Sequence, residues 1–193
     1  MSRSSVSLRA ATLADVEFLT DLWSDALRRA DRRDQAADVQ LIVKAAMNSP
    51  EQRLVVAECE GSAAGAVLLR VTTVTGLNLD QSVQAVSPHV APEFRRRGIG
   101  RTLMEAAVAF AEEVGATHVS TGVAPGTREA NRFMARLGLG PHAMFRSAPT
   151  AIIRGRLEAQ RPVPVASTTG SRHLTRVLAA RRSMRRSESA SST

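Results

Sequence analysis

The sequence has no tyrosine, one tryptophan and one cysteine, and aromatic residues make up only 3% of its 193 positions. Cys59 on its own excludes an internal disulfide framework, and the absence of CxxC and HExxH spacings leaves nothing from which to build a zinc site. A reducing, cytoplasmic compartment fits such cysteine usage best. No stretch approaches the roughly 18 uninterrupted apolar residues of a membrane span. The first residues carry Arg3, Arg9, Asp15 and Glu17 where a secretory signal would need an apolar run, so neither a signal peptide nor a transmembrane helix is expected. Lysine is nearly missing too, Lys44 standing alone beside 25 arginines.

What is present suffices for one globular domain. The chain is 44% hydrophobic, enough to bury a core, and its net charge of +8 is unevenly spread. From Arg161 onward there are seven arginines and one glutamate, so most of the excess lies in the tail and the body is not basic. We therefore divide the chain into a domain over 1–160 and a tail over 161–193. The tail opens on the Pro-, Ser- and Thr-rich RPVPVASTTGSR, with almost nothing to bury, and continues as HLTRVLAARRSMRR, which has the pattern of one short helix. It lacks aromatics, so its attraction to an anionic partner would rest on phosphate contacts alone and fade as salt rises. Direct nucleic-acid binding by the body has no support.

Along the body, VSLRAAT alternates as a strand, and Thr12 begins a T-x-x-D capping pattern. Val16, Leu19, Trp23, Ala26 and Leu27 then mark one helical face to about Arg29, and DVQLIVKAAM reads as a second helix. RLVVAECE and AAGAVLLRVTTV read as a hairpin and TGLNLDQ as a loop, followed by the strand SVQAVSPHV, weakened by Pro88. A helix runs from Ile99 to Val114 and is stopped by Gly115; THVSTGV is a strand and PGT a turn. REANRFMARLG is a helix with Thr127 as N-cap and Gly138 as C-cap. AMFRSAPTAIIRGRL supplies one or two closing strands in this reading, which makes the whole an α/β layer architecture.

The junction VAPEFRRRGIGRTL joins a strand, a glycine-containing turn and a helix. A helix N-terminus presents amides without acceptors at the positive end of its dipole, so these three parts in this order make an anion site. Gly98 and Gly100 leave room for a pyrophosphate against the backbone, and Arg95, Arg96 and Arg97 add positive potential. Arg95-Arg96-Arg97-Gly98-Ile99-Gly100, with its V-x-P-E-x lead-in and the following Leu103, resembles the signature of the GNAT superfamily of acyl-CoA-dependent N-acyltransferases. ANRFMARLGL resembles a second feature of that family, with Ala130, Phe133, Gly138 and Leu139 in register. The resemblance covers about residues 6–157.

The resemblance implies a mixed, centrally splayed sheet flanked by about four helices, with acetyl-CoA as co-substrate in the cleft and no metal. It places the pyrophosphate on the amides of Arg95, Arg96, Arg97, Gly98, Ile99 and Gly100, with Arg101 adjoining, and the pantetheine arm along the strand ending at Val90. It further implies direct transfer of the acetyl group to a primary amine of a small molecule, peptide or protein, and a homodimer is common among similar proteins. The sequence departs from the family at Met134, where a tyrosine commonly protonates the leaving thiolate, and at Thr127, where an asparagine commonly begins the helix. Asn131, one turn on, can replace that contact. Glu93, His89 and Asp80 are the candidate bases, while Cys59 reads as inert core and Trp23 as core. The missing tyrosine keeps a second reading open: a weak or inactive acyl-CoA-binding module whose basic tail docks an anionic partner.

Overall fold

A computed structural model describes residues 5–122, 128–142 and 146–161. The chain divides after Gly140: the sheet and its helices form the first unit, and a single described helix belongs to the second. Five strands lie in sequence order, β1 (Val6–Ala10), β2 (Gln52–Cys59), β3 (Ser62–Thr73), β4 (Gln81–Val90) and β5 (His118–Thr121). The first four are antiparallel neighbours and β5 joins β4 in parallel. The helices of this unit are α1 (Val16–Leu22), α2 (Arg32–Met47), α3 (Ile99–Glu113) and α4 (Arg128–Arg136). This is the mixed α/β architecture expected from the sequence.

Strand alternation distributes the apolar residues between two cores, because successive side chains leave opposite faces of the sheet. Ala57, Val67, Leu69, Val83 and Ala85 pack with Leu103, Met104, Ala107 and Phe110 of α3 and with Met134 of α4. Leu54, Val56 and Ala66 point the other way and meet Leu19 and Trp23 from the α1 segment and Val39 and Val43 from α2. Gly65 lets α3 settle closely on β3: a Cβ there would stand 2.7 Å from the His89 carbonyl oxygen and 3.3 Å from Ile99 Cγ2.

Three elements depart from the sequence reading. The first helix stops at Leu22 rather than near Arg29; Trp23 caps it, and its carbonyl takes the amides of Ala26 and Leu27 in a turn. Asp21, Ser24 and Asp25 are weak helix formers, which helps to end it there. The second helix starts at Arg32, earlier than its apolar pattern indicates, because the Asp31 side chain accepts the Asp34 amide at 2.8 Å as an N-cap. Ion pairs from Arg28 to Asp38 (2.5 Å) and from Arg32 to Asp21 lace the α1–α2 connection.

Of the one or two closing strands expected over AMFRSAPTAIIRGRL, the part after Pro149 is instead a helix, α5 (Thr150–Ala159), and residues 143–145 lie outside the described residues. Pro149 is its N-cap, and its carbonyl accepts the amides of Ile152 and Ile153, while a proline has no N–H to give to a strand ladder. Ala151, Arg154, Arg156, Leu157, Glu158 and Ala159 outweigh the two β-branched isoleucines. The proposed Thr127 cap, the PGT turn and the tail helix within 161–193 lie outside the described residues, apart from Arg161. Among the described residues no helix is long and apolar enough to cross a membrane.

Candidate functional site

The site is built where β4 parts from β5. Their parallel pairing runs from Ser82↔His118 to Ala85↔Thr121, where the Thr121 hydroxyl also donates to the Ala85 carbonyl at 2.8 Å. Among the described residues β4 then continues to Val90 with β3 as its one partner. Immediately past the last β4–β5 pair its register slips: Leu68 faces Val86 but Ala66 faces His89, so Ser87 and Pro88 together oppose Val67. This is a β-bulge, and it sits where proline's missing donor costs the ladder least. Ser87 takes φ +45, a left-handed conformation that costs a non-glycine residue about 1–2 kcal/mol. Its carbonyl accepts the Trp23 indole N–H at 3.0 Å.

Beyond the bulge the strand runs on to Val90. The Ala91 amide donates to Ala64 of β3 at 2.9 Å, so by alternation the Val90 amide faces the opposite side, towards the cleft. A short 3-10 turn, Pro92–Phe94, then delivers the arginines. Arg95 is extended, Arg96 is left-handed at φ +63, and Gly98 is left-handed at φ +87 as the N-cap of α3. A left-handed residue next to a right-handed one, as Gly98 is to the first helical residue Ile99, turns successive amides to one side and forms an anion-binding concavity. Arg101 and Thr102 are the first residues of the turn whose amides are taken up by the helix, both by the Gly98 carbonyl (2.9 and 3.2 Å). The amides before them have no helical acceptor.

The two glycines of this turn have different neighbours. Nothing lies within 4 Å of a Cβ built on Gly98, whereas one on Gly100 would stand 3.7 Å from Phe133 Cζ and 3.9 Å from Val90 Cγ2. Gly100 thus lies between the end of β4 and α4, and the structure brings Val90, Gly98, Ile99, Gly100 and the α4 residue Phe133 together. Ile99 itself is 1% exposed and serves the core with its side chain, leaving only its backbone for a ligand.

The arginines are not equivalent. Arg95 and Arg96 are exposed and have no ion pair among the described residues. Arg97 turns back towards the β2–β3 hairpin: its guanidinium lies 3.5 Å from Glu60, 5.5 Å from the Phe94 ring centroid and 3.9 Å from the buried Cys59 sulfur. Arg101 pairs with Glu105 one turn along α3 at 2.8 Å. Cys59 is a core residue, as its apolar strand implies.

The candidate bases occupy three different places. His89 is half-buried and shares the α1–α2 face of the sheet with its cross-strand neighbour Ala66. Glu93 is exposed on the 3-10 turn. Asp80 lies before the first residue of β4, about 30 Å along the strand from Val90, and is engaged in the hairpin loop through its amide to Asn78 Oδ1 (3.0 Å) and its carbonyl to Val74. That distance removes Asp80 from the site. Met134 is buried among α3 and sheet residues, so the position expected to hold an acid belongs to the core. Asn131 is exposed on α4.

Sequence reasoning missed Gly65, the Ser87 carbonyl and the role of the Trp23 indole. A glycine inside a strand signals a close backbone approach, and a proline inside one signals a bulge, so the first two left a trace; the partner of Trp23 left none.

With this geometry established, comparison with known proteins gives a consistent result. The family model described as acetyltransferase (GNAT) matches residues 16–139. A search of curated proteins by sequence found no match. Among solved structures, a transcriptional regulator from Bacillus halodurans C-125 superposes with a TM-score of 0.63 at 19% identity, over 75% of this chain and 100% of that one. An aminoglycoside N-acetyltransferase in complex with CoA gives a TM-score of 0.63 at 18% identity, over 76% and 95%. Glucosamine-6-phosphate N-acetyltransferase from Arabidopsis thaliana gives 0.58 at 14%, over 76% and 99%. At such identities the likeness is one of fold.

Proposed function

Because the chain belongs to the acetyltransferase (GNAT) family, we propose that it moves an acetyl group from acetyl-CoA directly to a primary amine. The observation that carries this reading is the turn into α3, where Arg96 and Gly98 are left-handed and the amides from Arg96 to Gly100 have no acceptor among the described residues, just past the end of β4. The CoA complex of the aminoglycoside enzyme supports an acyl-CoA in this fold.

The thioester supplies the acetyl group: the amine nitrogen bonds to the carbonyl carbon, the C–S bond breaks, the amine gives up a proton and the sulfur gains one. In this reading the backbone from Arg95 to Gly100 holds the pyrophosphate, with Arg95 and Arg96 adding charge. The Val90 amide faces the pantetheine arm. His89, on the face towards α1 and α2, is the candidate to take the amine proton, and Glu93 lies at the mouth. Met134 carries no proton, so the sulfur leaves as thiolate and is protonated by water. The acceptor is unidentified.

Incubation with acetyl-CoA and a broad panel of amines, following free thiol, tests the proposal, with CoA-induced thermal stabilisation measured alongside. Thiol release that depends on both protein and amine is the expected result. Stabilisation without turnover would reduce the chain to an acyl-CoA-binding module, and absence of both would overturn the reading.

A further inference from the structure

The bulge in β4 receives a hydrogen bond from a side chain of another layer. Of the three non-glycine residues with positive φ among those described, Glu60 lies in a hairpin turn and Arg96 in the loop before α3, and only Ser87 lies inside a strand. Such a conformation persists only where its surroundings over-determine it. Pro88 supplies no N–H, so the next peptide nitrogen cannot help to fix the bulge. The Ser87 carbonyl has instead a directed partner, the indole N–H of Trp23, 64 residues away in sequence and 4% exposed. Trp23 is itself held among Leu19, Val39, Val43 and Ala66. Its N–H is therefore presented by a packed core and not by a mobile side chain.

We propose that Trp23 is a positioning residue: by clamping the Ser87 carbonyl it fixes the bulge, and so sets the path on which His89 and Val90 leave β5 and meet the pantetheine arm of an acyl-CoA. The inference rests on the acyl-CoA reading above. It separates two parts of one ligand. The pyrophosphate turn lies beyond the bulge and is organised by its own backbone, whereas the strand edge is organised by Trp23.

The chain offers a direct probe, because Trp23 is its one tryptophan and it contains no tyrosine. Its intrinsic emission reports the indole at the bulge and nothing else. CoA, which carries the pantetheine arm, should shift that emission; ADP, which carries only the nucleotide and pyrophosphate, should raise the melting temperature without shifting it. Trp23→Phe keeps an aromatic ring and removes the donor, and should weaken CoA on the order of ten-fold while leaving ADP unchanged. Ser87→Gly accepts positive φ without strain, so adding it to Trp23→Phe should return CoA affinity to within about three-fold of wild type.

Equal emission responses to CoA and ADP would overturn the proposal, and that arm needs no variant to fold. So would equal weakening of both ligands in Trp23→Phe, an unchanged CoA affinity, or a loss that Ser87→Gly does not repair, since the last is the mark of a simple packing defect. A wild-type protein that binds neither ligand would instead overturn the acyl-CoA reading, and the proposal with it.

Discussion

At Gly98 the backbone takes φ +87 with nothing within 4 Å of the place a Cβ would occupy, so an alanine there meets no atom yet is forced into the left-handed region. Gly98→Ala should cost about 1–2 kcal/mol, read as a lower denaturation midpoint. Gly100 is different: it lies in the first turn of α3, and an added Cβ makes ordinary contact with Phe133 at 3.7 Å. Gly100→Ala should leave the free protein unchanged or raise its stability by up to about 1 kcal/mol, through better helix propensity. Both substitutions should nevertheless diminish stabilisation by CoA. A Gly100→Ala protein with a full CoA shift would mean that the ligand does not approach that part of the backbone. The glycine pair was legible in the sequence as a motif, but the two separate reasons for it were not, since one is a dihedral angle and the other a space left for something else. The same holds for the arginine run, where Arg97 turns to Glu60 and Phe94.

Among the elements, legibility followed the strength of the local pattern. β2, β3, β4 and α3 were readable because alternation or a 3.6-residue stripe is imposed by a two-faced sheet and the helix packed on it. α1 and α2 differ from the expectation at α1's C-terminus and α2's N-terminus, where the turn on the Trp23 carbonyl and an aspartate cap decide the boundary. α5 stands where a strand is expected: Ile152 and Ile153 are β-branched, but the good helix formers among residues 154–159 outweigh them. The docking of α3 on β3 also has a single-residue dependence. At Gly65 a Cβ would meet the His89 carbonyl oxygen at 2.7 Å, and also Ile99 and Leu103 of α3, so either the strand pair or the helix must move. Gly65→Ala should destabilise the protein by about 1–3 kcal/mol, as overpacking does, with CoA binding lost in step because Val90 is its register partner. A melting curve that matches wild type would show that the layers give way more readily than their packing implies.

Across the whole first unit, one guanidinium joins the edge strand to two other parts of the chain. Arg9 of β1 binds both oxygens of Asp15 at 2.7 Å and Glu58 of β2 at 2.6 Å. Asp15, just before α1 and 5% exposed, also accepts the amide of Thr12 at 2.7 Å. The Arg9 contact holds the Asp15 carboxyl below its ordinary range; the bonds from Thr12 add to this, and burial opposes it. With its folded value lowered, Asp15 binds fewer protons in the folded chain than in the unfolded one, where its value is about 3.9. Stability therefore rises with pH across that window: the contribution is complete above the unfolded value and is lost as pH falls through the folded one. Asp15→Asn should cost about 2 kcal/mol near neutral pH, because it removes a buried, charge-assisted acceptor from Arg9. Denaturant midpoints of the two proteins should converge as the pH falls through and below the lowered folded value, since wild type then carries an uncharged group at this position as well. A difference that stays constant from neutral to acid would mean that shape, and not the carboxylate's charge, ties β1 to the rest of the sheet.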